Sequence, residues 1–538
     1  MKPRSQFLVG AVVVSLLAVS GASAVGAPTP APKRGGTVVV WTNGEPACLN
    51  PLGNPSCGEG NVIPGVLEEV LEGAFESGPR HVARDLVTRV AFTRKPPFTL
   101  TYHIRPEAQW SDGVPVSAGD FVFTQAAIRK YASRDDFQRK LVRSVRAVDA
   151  KTVRVVLKTR SAAWRQLFAV VLPRHALADE DLQHVWQDRI DDPKTGAPIG
   201  SGPFLVQRWE RGRQLTLIRN PRYWGAHTAY LDRVVLRFGV DDSVQALHDG
   251  ELDVVQRRPD PGTERDFQAV PSVKQLYGPG RAWEHFEIRI GSGGQPALKN
   301  KLVRRALAYG LDRAAIVRAV YGGFLPKWRP SESAIFLDAS HGYQPNWSDY
   351  RYRPALAQRL LEQAGCRRGV DGIYVCAGDK LSLRFVTTTG SSRRRVALEL
   401  AQRQLRRVGI EATPSYTPFP AFFDQVVIPG NFDVALFTVF YDPDVGGASD
   451  IYRCGGAENL TGYCQRLVTR DLTEADRILD PAQQARVLNR ADRQMAKDVP
   501  VIPLWNEPAA ASVRSTVHGV VPCFPSWIWK AENWWLER

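Results

Sequence analysis

The chain has 538 residues, 44% hydrophobic and 23% charged, which excludes a disordered chain, a collagen and a coiled coil. At about 100–200 residues per domain, the length makes two to four structural units with ample core. Lys plus Arg outnumber Asp plus Glu by 70 to 55, and the net charge of +15 leaves nucleic acid, an anionic surface or an acidic ligand open at this point.

The N-terminus reads as a secretory signal. Lys2 and Arg4 supply the positive end, Phe7 to Val19 is apolar, and Ala22-Ser23-Ala24 has the small-x-small pattern of a cleavage site. Cleavage is expected after Ala24, which makes 1–24 the signal peptide. The apolar run falls short of the ~20 residues of a membrane span. No cysteine follows it, so a lipid-modified N-terminal cysteine is not expected. Residues 25–34, rich in Pro and Ala, read as a spacer.

Gly35-Gly36 opens a short β-branched strand that runs to Trp41. Phe98, Leu100, Tyr102 and Ile104 alternate with polar residues as a half-buried strand, and so do Val153, Val155 and Leu157, then Leu215 and Leu217. Arg233 to Phe238 predicts a strand. Asp241-Asp242-Ser243 then caps a helix ending near Gly250, and Leu252 to Val255 returns as a strand. Further on, Leu302 to Val320 has a helical apolar rhythm with some slippage. Leu381, Leu383 and Phe385 alternate as a strand, Val396 to Val408 predicts an amphipathic helix stopped by Gly409, and Ile410 to Thr413 follows as a strand. Strand–helix–strand units on both sides of the midpoint predict two α/β lobes.

Six of the seven cysteines fall in close pairs: Cys48 and Cys57, Cys366 and Cys376, Cys454 and Cys464. An exported chain meets an oxidising environment, so disulfides are expected. None of the pairs has metal-ligand spacing, and no histidine cluster accompanies them. Cys523 is left over and is expected to be a buried thiol.

There is no phosphate-binding loop, no H-E-x-x-H and no G-x-S-x-G. Gly200-Ser201-Gly202 precedes Pro203 and reads as a backbone turn, not a nucleophile. The acidic pairs Asp135-Asp136 and Glu68-Glu69 read as solvated helix faces or caps. Arg393-Arg394-Arg395 opens a helix with its cations opposing the dipole, and reads as a solvated first turn. No metal, cofactor or catalytic constellation is expected, so the chain is not read as an enzyme.

Four stretches carry a resemblance. The first runs from Gly35-Gly36-Thr37 through Glu45-Pro46-Ala47-Cys48-Leu49-Asn50-Pro51. The second is Trp110-Ser111-Asp112-Gly113-Val114-Pro115 with Ser117-Ala118-Gly119-Asp120-Phe121. The third is Ile199-Gly200-Ser201-Gly202-Pro203-Phe204, Trp209-Glu210 and Arg219-Asn220-Pro221-Arg222-Tyr223-Trp224-Gly225. The fourth is Val303-Arg304-Arg305-Ala306-Leu307-Ala308-Tyr309-Gly310-Leu311-Asp312-Arg313. In this order they resemble the peptide-type extracellular solute-binding proteins of ABC importers, family 5, which includes dipeptide, oligopeptide and nickel binders.

The resemblance implies an α/β, periplasmic-binding-protein-like fold of type II, cluster C-like: two lobes joined by a hinge, with an extra subdomain on the first lobe. Residues 35–75, 199–285 and 505–538 would form lobe I, 76–198 the subdomain and 286–504 lobe II. It implies an exported protein, periplasmic or in the cell envelope, that captures a peptide or peptide-like solute and delivers it to a membrane permease as a monomer. The alternatives are a nickel chelate, haem, an oligosaccharide or an antibiotic on the same fold, and more remotely a secreted cell-wall hydrolase. The arginine excess is not gathered into one stripe with interleaved aromatics, so nucleic acid is not an expected partner.

The ligand-binding residues implied are Glu59, Asn61, Phe137, Phe440, Tyr441, Asp442 and Asn459. Counted without a gap from Phe432-Asp433, Asp442 falls on the aspartate that meets a peptide's terminal amine. Counting from Pro443 would put Val439 there instead. Leu436 stands where oligopeptide binders carry an arginine, which puts a salt-bridged ligand carboxylate at that point in doubt.

Overall fold

The structure, a computed structural model, describes residues 31–52, 62–75, 86–93, 95–132, 137–440, 447–523 and 526–537. The signal segment, Asp135-Asp136, Glu59, Asn61, Tyr441 and Asp442 lie outside the described residues.

One ten-stranded sheet runs through the molecule. From one edge its strands are Glu411–Thr417, Ser382–Thr388, Val434–Phe440, Val273–Ile288, Val501–Arg514, Val254–Arg257, Thr37–Trp41, Arg233–Arg237, Gln214–Arg219 and Phe204–Glu210. Thr37–Trp41 lies parallel to Arg233–Arg237 and Val254–Arg257. Ser382–Thr388 lies parallel to both of its neighbours. Parallel neighbours need a crossover, and the helices supply it. Asp242 accepts from the amides of Val244 and Gln245 to start the helix Ser243–Asp249, and Gly250, with φ 85°, ends it before the next strand.

Two long antiparallel strands, Val273–Ile288 and Val501–Arg514, join the halves of this sheet. Their register slips between Pro279 and Trp283, and again between Glu284 and His285. Separate hydrophobic cores lie to either side. One contains Phe286, Leu307, Trp347, Leu405 and Leu436; the other contains Val38, Tyr102, Phe168, Leu217 and Trp534. The molecule is therefore two-lobed. A four-stranded antiparallel sheet, in the order Val87–Phe92, Thr99–Ile104, Thr152–Leu157, Val142–Asp149, packs into the core of the first lobe. Its helix Ala118–Tyr131 starts with a capping box between Ser117 and Asp120.

Local readings differ from the structure in instructive places. The rhythm from Leu302 to Val320 is two helices, Lys301–Gly310 and Arg313–Tyr321. The break falls at Leu311-Asp312, where Asp312 accepts from the Ala315 amide at 2.8 Å and starts the second helix; the slippage marked this boundary. Glu69 is not solvated. It is 4% exposed, and burial and the neighbouring Glu532 push its carboxyl well above the usual range. Ser201 does sit in a backbone turn: its amide and that of Gly202 both donate to the Val70 carbonyl at 3.0 Å. A Cβ at Gly202 would lie 2.5 Å from the Glu69 carbonyl oxygen, so only glycine fits. Cys366–Cys376 and Cys454–Cys464 are disulfides. Cys57 lies outside the described residues, and Cys523 is buried.

Candidate ligand-binding cleft

The lobes meet where the long strands slip register. On the second-lobe side, Val434–Phe440 pairs antiparallel with Val273–Ile288, placing Thr438 opposite Glu284 and Phe440 opposite Ala282. On the first-lobe side, Val254–Arg257 ends beside Val501–Arg514, and the chain continues through Arg258 to Asp260. The helix Ser392–Arg407 points its first turn at this junction. Ser391 caps it, accepting from the Arg394 amide, and Leu398, Ala401 and Leu405 bury its opposite face.

Charged side chains converge here. Arg394 donates from Nε to Glu284 Oε1 at 2.6 Å, from one terminal nitrogen to Thr388 Oγ1 at 2.6 Å, and from the other to Thr438 Oγ1 at 2.9 Å. Thr438 in turn donates to Glu284 Oε2 at 2.6 Å. Arg393 donates to Glu507 on the other long strand, which also accepts from Tyr321 and Trp505. From the first lobe, Arg258 donates to Thr438 Oγ1 at 3.1 Å, and its guanidinium lies 5.2 Å over the Phe440 ring. Asp260 accepts from Ser392 Oγ and lies 3.5 Å from Arg393 Nε. A carboxylate there favours the helix N-terminus and offsets the cations that follow it.

Arg393 and Arg394 are thus buried, at 7% and 8% exposure, and the solvated first turn read from sequence is incorrect for these two, while Arg395 is exposed. The physical reason is pairing: guanidinium groups leave water here because Glu507 and Glu284 meet them inside. Burial opposes the Glu284 charge, but Arg394 and Arg393 hold its carboxyl below the ordinary range. Glu507 moves the other way. Burial, and the charge on Glu284, raise its carboxyl against the pull of Arg393. One proton is therefore retained more readily on Glu507 than on Glu284.

Of the residues singled out from sequence, Phe440 lies at this junction, at the end of its strand and 52% exposed. Phe137 opens the short helix Phe137–Leu141 and is 39% exposed. Asn459 is used by its own loop. Its Nδ2 donates to the Arg453 and Tyr463 carbonyls, and its Oδ1 accepts from Thr461 Oγ1 and the Gly462 amide. That fills the bonding capacity of the amide and makes Asn459 an organiser of the loop that Cys454–Cys464 closes. Leu436 is fully buried in the second-lobe core, where an arginine would lack water.

Sequence reading missed Arg258, Glu284, Arg393, Arg394, Thr438 and Glu507. A signal was present. Glu284 sits between Trp283 and His285-Phe286, and Glu507 follows Trp505-Asn506, each an acid inside an apolar strand. Such an acid needs a buried cation, and the arginine run opposing its own helix dipole is the complement.

The family model described as bacterial extracellular solute-binding proteins, family 5 Middle, matches residues 81–458. The chain belongs to this family. Among curated family 5 relatives, the "Oligopeptide-binding protein OppA" of Mycobacterium tuberculosis is 29% identical over 479 residues, 85% of this chain and 77% of its own length. Among solved structures, a "Periplasmic EDTA-binding protein EppA" superposes with TM-score 0.81 at 19% identity, over 95% of this chain and 98% of that one. The oligopeptide-binding protein AppA of Bacillus subtilis, solved with a nonapeptide, gives TM-score 0.71 at 20% identity, over 94% of this chain and 100% of that one. These likenesses show the type II binding-protein fold. Among the described residues no helix is long and apolar enough to cross a membrane.

Proposed function

We propose that this family 5 protein is the exported binding component of an ABC importer, capturing a peptide or peptide-like solute between its lobes and delivering it to a membrane permease. The observation that carries the reading is the junction itself. The strand Val434–Phe440 presents a half-exposed aromatic there, Phe440, beneath Arg258 of the other lobe. An extended ligand added at such an edge is held by main-chain bonds, and pockets for alternate side chains give selectivity. The names of the curated relatives favour peptide.

In this reading lobe I is 35–75, 199–285 and 505–538, the subdomain is 76–198, and lobe II is 286–504. The register slips between Pro279 and Trp283 favour a hinge in the long strands. A ligand touching both lobes shifts the open–closed equilibrium by its differential affinity. Glu59, Asn61, Phe137, Phe440, Tyr441 and Asp442 line the cleft, with Asp442 meeting the terminal amine. The protein acts as a monomer, is cleaved after Ala24, and carries no lipid on an N-terminal cysteine.

The test is thermal unfolding with a peptide library, together with mass spectrometry of the solute that copurifies. Micromolar binding, about −8 kcal/mol, raises the melting temperature without any product appearing. Asp442→Asn weakens peptides with a free amine far more than acetylated ones. Peptide turnover, or a copurifying solute with no peptide character, overturns the reading.

A further inference from the structure

A groove of about 980 Å³ lies between the four-stranded sheet's exit and the last helices of the second lobe. Arg160, just beyond the strand Thr152–Leu157, stands on one wall. Arg466, Arg470 and Arg477 follow the helix Arg466–Ala475 and its exit along the other. A second cavity of about 560 Å³ shares Arg160 and Gln483 and reaches Trp164. The walls belong to different lobes. Ile478 packs into the second-lobe core while Leu479 packs against the first, and the Ala162 amide donates to the Asp476 carbonyl at 2.7 Å across the seam.

The groove's charge is unbalanced. Asp471 is held by Arg470 at 2.8 Å and by Arg490 at 3.2 Å, and Arg490 also takes Glu474 at 3.1 Å. Asp471 and Glu474 are thereby committed, Asp480 is turned to the Gln483 amide that starts the next helix, and of these acids Asp476 alone acts on the groove's Arg477. Arg160 and Arg466 have no ion pair among the described residues, and Arg160 Nε and Trp164 Nε1 are buried without a hydrogen-bond partner. A buried donor left unmade costs free energy that a ligand acceptor recovers. The volume lies in the range of small-ligand sites, well above what one phosphate fills. Guanidinium forks match phosphate and carboxylate oxygens two at a time.

We propose that this groove is a second binding site, taking a soluble polyanion of the phosphate or polycarboxylate class, clamped between Arg160 of the first lobe and Arg466 and Arg477 of the second. The proposal does not depend on what the main cleft binds.

Isothermal titration of the full exported chain with inorganic pyrophosphate, at low ionic strength, tests it. The expected result is saturable one-site binding. Arg160→Ala and Arg466→Ala each weaken it about tenfold or more, because the walls act together, with melting temperatures kept close to the parent's. Arg493→Ala, on the neighbouring helix and outside the groove, leaves it within about twofold. Absence of binding overturns the proposal. So does an equal loss in all three variants, which would mean diffuse attraction to a basic surface. Phosphatidylglycerol vesicles supply the same phosphate chemistry from a lipid headgroup; binding of vesicles without binding of pyrophosphate overturns the assignment to a soluble ligand.

Discussion

Arg394 and Glu284 form a buried ion pair, Nε to Oε1 at 2.6 Å, between a helix start and a long strand shared by both lobes. Two ions removed from water are stable there only while each has its partner and its remaining hydrogen bonds, and Thr388 and Thr438 supply those. Glu284→Ala leaves a guanidinium buried without its counter-ion. The expected loss is about 3–5 kcal/mol of folding stability by urea denaturation. A loss below about 1 kcal/mol, the range of an exposed pair, would show that the pair is solvated in solution.

The two acids at this junction respond to pH with opposite signs. Glu284 is held below its ordinary value, so its contribution is present above about pH 4.3 and is lost as pH falls through its folded value. Glu507 is held above it, so its contribution is present below about pH 4.3 and is lost as pH rises through its folded value. Glu507→Gln keeps the shape of the protonated acid and cannot ionise. Urea midpoints compared across pH should show the variant gaining on the parent protein as pH rises. A difference that stays constant with pH contradicts the assignment.

Each described disulfide closes a span of 10 residues in the sequence. A loop of that size restrains the unfolded chain by about 2–3 kcal/mol in the chain-entropy account. The double variant Cys454→Ser with Cys464→Ser is expected to lose that amount at equilibrium. If stability is unchanged, the bridge does not form in the exported protein.

Asn459→Ala tests the division between shaping a loop and touching a ligand. Removing the amide leaves the Arg453 and Tyr463 carbonyls and the Thr461 hydroxyl short of partners, an expected cost of about 1–3 kcal/mol. Faster proteolysis within residues 453–463 is the accompanying local signature. Unchanged stability with a large loss of ligand affinity would instead make Asn459 a ligand contact.

Much of the frame was legible because its signals are local. The cap at Asp242, the stop at Gly250 and the capping box of Ser117 and Asp120 act within a few residues of where they stand in the sequence. The cysteine pairs 366/376 and 454/464 are likewise short-range. The break at Leu311-Asp312 was visible only as slippage, because a capping aspartate inside an apolar rhythm looks like one misplaced polar residue.

The junction between the lobes was misread in its charges. Phe440 sits at the strand end that the resemblance marked, yet its neighbours Arg258 and Thr438 lie 182 and 2 positions away in the sequence. Glu284 finds Arg394 at a separation of 110 residues, and Glu507 finds Arg393 at 114. Periodicity and turn chemistry report on neighbours along the chain, so they determined many of the strands and helices and the two-lobed plan. Which charges leave water is set by what the sheet brings alongside, and burial depends on partners that no local pattern encodes. The tertiary structure alone therefore decided that Arg393 and Arg394 form an internal seam between the lobes, while Arg395 beside them stays on the solvated surface.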